Sequence, residues 1–152
     1  MAAVVVVGVD GSEPARAALE FAAGEAALRN AQLRIVSAWE IPPTVYAGGF
    51  APGLDQSTLD GFAESAEKVV QEAVSVVREL QPAVECAGQA TQGQPAEVLL
   101  ETAQDAELVV VGNRGRGGFA SLLLGSVSQQ VVHYATCPVT VVREPRPSAD
   151  QA

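Results

Sequence analysis

From Gly112 to Ser126 the chain reads Gly-Asn-Arg-Gly-Arg-Gly-Gly-Phe-Ala-Ser-Leu-Leu-Leu-Gly-Ser. Glycine has no Cβ, so such a segment lets backbone N–H groups come close to a ligand, or take positive φ and point inward at an anion. A helix expected to begin near Ser126 adds its unsatisfied first amides and the positive end of its dipole. The chemistry open to this composition is the cradling of an anion, a phosphate above all. A second glycine turn, Gly8-Val9-Asp10-Gly11, adds one carboxylate. Beside phosphates a carboxylate repels, so a functional Asp10 requires a bridging Mg²⁺ or Mn²⁺ or a ribose hydroxyl. Otherwise Asp10 only shapes the turn into the first helix. Ser126 has a local reading too, since Ser126 with Gln129 makes a capping-box pattern.

These turns need strands to hold them. Val4 to Val9 is a short β-branched run, Leu33 to Trp39 a second, and Leu108 to Val111 a third, each reading as a buried strand. A weaker strand is expected over Ala83 to Ala90, and a last one over Val139 to Val142. Ser12 followed by Pro14 marks a helix start, and apolar residues recur at helical spacing from Ala15 to Ala26. A long apolar stripe from Ser57 to Leu80 predicts another helix. Shorter helices are expected over Pro95 to Ala103 and Ser126 to Tyr134. Ile41 to Gln56 carries proline and glycine without a period and reads as a long loop, and the tail from Pro145 reads as disordered. Strict alternation of this kind implies right-handed crossovers, a parallel sheet and helices on both faces. Ligands of such sheets sit beyond the carboxyl ends of the strands where the strand order reverses. The first and fourth strands both end in glycine turns, so the site is expected between them.

Composition narrows the function classes. The 152 residues suit one domain. A net charge of −9, with nine scattered Lys and Arg, argues against a nucleic-acid partner. Two distant cysteines, Cys86 and Cys137, and one histidine argue against a His/Cys metal site. The apolar run Ala2 to Val7 is too short for a signal peptide or a membrane span, so a cytoplasmic protein is expected. No GxxxxGK[ST] string occurs. The GxGxxA match at Gly115, Gly117 and Ala120 lacks its downstream acidic residue.

The spacing Gly112-x2-Gly115-x9-Gly125-Ser126 is similar to the phosphate loop of ATP-binding members of the universal stress protein family. The opening Val-Gly-Val-Asp-Gly-Ser (Val7 to Ser12) resembles that family's first turn. The Cys137-Pro138-Val139 turn into a strand ending Val141-Val142-Arg143 resembles its last. The likeness spans Val4 to Arg143. It implies a single-domain Rossmann-like fold of the adenine nucleotide alpha hydrolase type over residues 1–144, a five-stranded parallel sheet with helices on both faces. It implies ATP as ligand, with Mg²⁺ or Mn²⁺ reached indirectly by Asp10. By the same resemblance Gly8, Val9 and Asp10 lie under the ribose and phosphates, Ala38 faces the adenine, and Val111 flanks the base or ribose. Gly112, Asn113, Arg114, Gly115, Gly125, Ser126 and Val127 then hold the phosphates, Arg114 standing where the family varies and often has His.

The implied role is a nucleotide-dependent sensor or regulator in the stress response, with little or no hydrolysis, whose state a protein partner reads. A slow ATPase or phosphotransferase is the alternative, as is a cyclic-AMP-binding member. An apolar last strand at a sheet edge is a pairing hazard, and the resemblance implies a homodimer through Val139 to Val142. Gly115 and Gly125 are expected to be glycine for close approach or positive φ, whereas Gly88→Ala, away from the proposed site, is expected to leave affinity intact.

Overall fold

Four consecutive valines, stiff at χ1 and suited to a pleated surface, open the first strand, β1 (Val4–Gly8). In the computed structural model, which describes residues 2–41, 56–114 and 124–144, the described strands and helices then alternate. The elements are α1 (Glu13–Arg29), β2 (Gln32–Trp39), α2 (Gln56–Leu80), β3 (Cys86–Gln92), α3 (Pro95–Thr102), β4 (Leu108–Gly112), α4 (Ser126–Tyr134) and β5 (Val139–Val142). The expected loop over 42–55, Gly115 and the tail from residue 145 lie outside the described residues.

All strand pairs are parallel, in the order β3-β2-β1-β4-β5. Successive residues of each strand face opposite sides of the sheet, and two cores result. Val5, Val7, Leu33, Ile35 and Val110 pack against α1 and α2 through Ala18, Ala22, Ala73 and Val77. Val4, Val6, Val36, Val109 and Val111 pack on the other face against Ala96, Leu99 and Val131 of α3 and α4. Val5, Val6, Val7, Val109 and Val110 are fully buried. Burial of each valine side chain contributes at least about 1.5 kcal/mol. This places β1 and β4 at the centre as a rigid floor, with their carboxyl ends side by side.

One expectation needs correction. β3 begins at Cys86 rather than Ala83 and runs on to Gln92. As an edge strand its residues are mostly exposed or half-buried, so pairing with β2 rather than its own composition fixes its limits. Gly88 on this strand lets α2 approach closely, because a Cβ there would overlap Val70 Cγ1.

At the amino end of the sheet, ion pairs tie elements together. Arg29 Nη1 lies 3.1 Å from Glu107 Oε1. Arg34 donates from Nη1 and Nη2 to both Asp105 carboxylate oxygens at 2.6 and 2.9 Å, and also to Thr102 C=O at 3.2 Å. These hydrogen bonds from Arg34 hold the Asp105 carboxyl below the ordinary aspartate value.

Candidate functional site at the carboxyl ends of β1 and β4

The chain leaves β1 toward β2 on one side and β4 toward β5 on the other. The strand order therefore reverses between β1 and β4, and sheets of this kind carry their ligand crevice above that point. Gly8, Val9 and Asp10 form the β1 side. Gly11 follows with φ 84°, a conformation that disfavours any side chain. This turn lets the Asp10 Oδ1 accept from Ser12 N–H at 2.9 Å and from Ser12 Oγ at 2.5 Å. Ser12 Oγ in turn accepts from Ala15 N–H at 3.3 Å and caps α1. Asp10 thus anchors the start of α1, while the Val9 side chain is buried against α1 and α2.

Beside this turn, Val9 N–H donates to Val36 C=O at 2.9 Å, extending the ladder toward Ala38 at the carboxyl end of β2. Ala38 is half-buried on the α3/α4 face. On the other flank stand Val111 and Gly112. Gly112 is where α1 meets the sheet, since a Cβ there would lie 2.7 Å from Pro14 C and 2.8 Å from Pro14 O. Its lack of a side chain is thus required by helix packing before any ligand is considered.

Beyond Gly112 the backbone is pinned. Asn113 N–H donates to Val142 C=O at 2.9 Å, and its C=O accepts from Gly125 N–H at 2.7 Å. Ser128, buried in α4, donates from Oγ to Asn113 C=O at 3.1 Å and Gly125 C=O at 3.0 Å. The two ends of the glycine-rich segment are thereby held together, and α4 is aimed at the crevice. Asn113 Oδ1 is buried and without a hydrogen-bond partner among the described residues. A buried polar atom left in that state is costly. Exchange of its amide oxygen and nitrogen would present a donor there instead.

The capping expectation for Ser126 is not met. Gly125 is the N-cap, with φ −74° and ψ 174°, and no described side chain caps α4. Ser126 is its first helical residue and is exposed, while Gln129 Nε2 reaches back to Leu124 C=O at 2.9 Å. Gly125 has an ordinary extended conformation, so positive φ is no part of its requirement. Val127 packs its side chain against the core. Arg114 Nη2 stands 4.0 Å from Glu144 Oε1. Eleven of the twelve expected contact residues (all but Gly115) thus gather at one end of the sheet. Sequence reasoning missed Ser128 and Glu144. The serine two positions after the Gly-Ser pair was a usable signal, whereas nothing local pointed to Glu144.

The family model for universal stress proteins matches residues 1–143. The chain belongs to the universal stress protein family. Universal stress protein Rv2623 of Mycobacterium tuberculosis is 38% identical over 143 residues, covering 93% of this chain and 46% of its own length. The chain spans about half the length of the curated relatives it matches. Among solved structures, a universal stress protein in complex with cAMP is 29% identical with a TM-score of 0.67, covering 95% of this chain and 98% of that one. The UspA protein of Lactobacillus plantarum has the same fold, with a TM-score of 0.76 at 23% identity over 93% of this chain and 97% of its own. No described helix is long and apolar enough to cross a membrane.

Proposed function

We propose that this universal stress protein binds an adenine nucleotide, ATP in particular, in the crevice between β1 and β4, and acts by binding rather than turnover. The observation that carries the reading is the uncapped start of α4 at the reversal point, clamped to Asn113 by Gly125 and Ser128. Uncapped first amides of a helix offer donors and a positive dipole end to a phosphate. The unpartnered Asn113 Oδ1 marks a polar group in want of a ligand beside them. Ala38 and Val111, on one face of the sheet, supply the apolar side on which an adenine would rest. The related protein solved with cAMP supports a nucleotide in this family. It also makes cyclic AMP the second ligand to test.

A metal, where present, would be held by phosphate oxygens and water. The turn after β1 offers Asp10, already tied to Ser12 through Oδ1, so its part would be indirect. When bound, Mg²⁺ or Mn²⁺ would neutralise phosphate charge. Hydrolysis requires a group that orients water or takes its proton. Asp10 anchors α1 instead, and we assign no residue to that task. A stress-response sensor whose occupancy a protein partner reads, in the cytoplasm, is the role this binding would serve.

Calorimetry with ATP, ADP, AMP, GTP and cAMP tests the reading, with release of inorganic phosphate followed in parallel. Gly125→Val keeps an accessible φ of −74° yet places a branched side chain at the entrance to α4, and a thermal melt run alongside checks that it folds. ATP affinity is expected in the parent and lost in the folded variant. Equal affinity in the two places the phosphates elsewhere, and a steady turnover near enzymatic rates of about 10 per second would make the protein an enzyme.

A further inference from the structure

Arg114 emerges from the carboxyl end of β4 and Glu144 from that of β5. The strands lie side by side with Gly112 opposite Val142, and the Asn113–Val142 hydrogen bond extends their pairing by one step. This register sends the two side chains out from neighbouring strand ends, with 4.0 Å between Nη2 and Oε1. Both remain substantially exposed, 37% and 42%. The backbone beside Arg114 is fixed at Asn113 by Val142, Gly125 and Ser128. The guanidinium is thus anchored at its base, with an acidic partner from the neighbouring strand end.

We propose that Glu144 is an internal competitor for Arg114, a carboxylate that a phosphate group must displace, and that it sets the charge a nucleotide must bring to engage Arg114. This rests on the nucleotide reading of the crevice. An exposed ion pair at such a distance is weak and screened by salt. A phosphate matches the guanidinium fork better, with more charge and several acceptor oxygens. The exchange therefore favours a ligand with a highly charged terminal phosphate and gives little to a singly charged cyclic nucleotide. Glu144 raises the threshold for both, so that weakly charged nucleotides fail to draw Arg114 away.

The full chain is titrated with ATP, ADP and AMP, each with Mg²⁺, by calorimetry at low and moderate salt. The variants are Glu144→Gln, Arg114→Gln, the double variant and Glu107→Gln. Glu144→Gln is expected to tighten ATP by about two- to fivefold, the span of an exposed ion pair, with less gain for AMP. The gain is expected to vanish in the Arg114→Gln background. Glu107→Gln removes the same charge from the Arg29 pair at the opposite end of the sheet, and is expected to leave affinity unchanged. An unaltered ATP affinity in Glu144→Gln overturns the proposal while leaving the nucleotide reading intact. A gain that persists without Arg114, or appears equally in Glu107→Gln, also overturns it, because Glu144 then acts only through net charge. A parent that binds none of the three nucleotides overturns both.

Discussion

Replacing Gly112 with alanine separates a packing requirement from a ligand requirement at one position. The new Cβ would stand 2.7 Å from Pro14 C, 2.8 Å from Pro14 O and 3.0 Å from Pro14 Cβ. These are backbone and ring atoms in the first turn of α1, locked by the proline ring and the Ser12 cap, so no flexible side-chain end can yield. Restoring ordinary carbon contacts of about 3.5 Å requires α1 and the end of β4 to part by about 0.8 Å. Overpacking of this kind costs about 1–3 kcal/mol. At this chain length that lowers the melting temperature by about 2–4 °C per kcal/mol, hence about 2–12 °C in all. Circular dichroism melts and urea midpoints on the nucleotide-free protein measure it. Gly24→Ala is the comparator, in the interior of the same helix with nothing within 4 Å of its Cβ. It is expected to stabilise by about 0.5–1 kcal/mol through helix propensity. Should Gly112→Ala melt with or above the parent while Gly24→Ala behaves as stated, the packing argument fails and Gly112 is a ligand residue alone.

Two further expectations concern the edges of the fold. β5 lies at the sheet edge, and the homodimer proposed through Val139 to Val142 should persist in light scattering at tens of micromolar, an order-of-magnitude choice; a monomer there rules it out. Arg34 lowers the Asp105 carboxyl in the folded chain, so this group stabilises the fold above the ordinary aspartate range and loses that contribution as pH falls through its folded value. Asp105→Asn should therefore melt below the parent at pH 7, with the gap closing below about pH 4; a gap unchanged at pH 2 would show that the pair contributes nothing through ionisation.

Much of the architecture was written in local pattern. Valine runs gave β1 and β4, the Ser12–Pro14 pair gave the start of α1, and the stripe through Ala66, Val70, Ala73 and Val77 gave α2. β3 was displaced because its limits depend on β2 and α2 rather than on its own polar residues. The glycines show why the site was only partly legible. One residue type serves positive φ at Gly11, close approach of α1 at Gly112 and close approach of α2 at Gly88. No sequence spacing tells these apart. The Ser126–Gln129 pattern had the form of a capping box, yet Gly125 fills the cap and Ser128 makes the bonds. The Arg114–Glu144 pair depends on parallel register between strands 30 residues apart, which only the assembled sheet reveals.

The place of β1 in the sheet also sets the order in which it can be completed. Its neighbour on one side is near in sequence, Val5 with Leu33, but on the other Val5 pairs with Leu108, 103 residues later (108 − 5). At a ribosomal rate of about 5–20 residues per second, the flank that β4 will occupy stays open for about 5–20 s after β1 is made. During that interval Val4 to Val7 presents an uncharged, β-branched edge with no proline or lysine to blunt it, the pattern that invites pairing with other chains. Nascent β1 is therefore the segment most exposed to aggregation and the one for which a chaperone would have most to shield, although in the finished protein it is the most deeply enclosed strand.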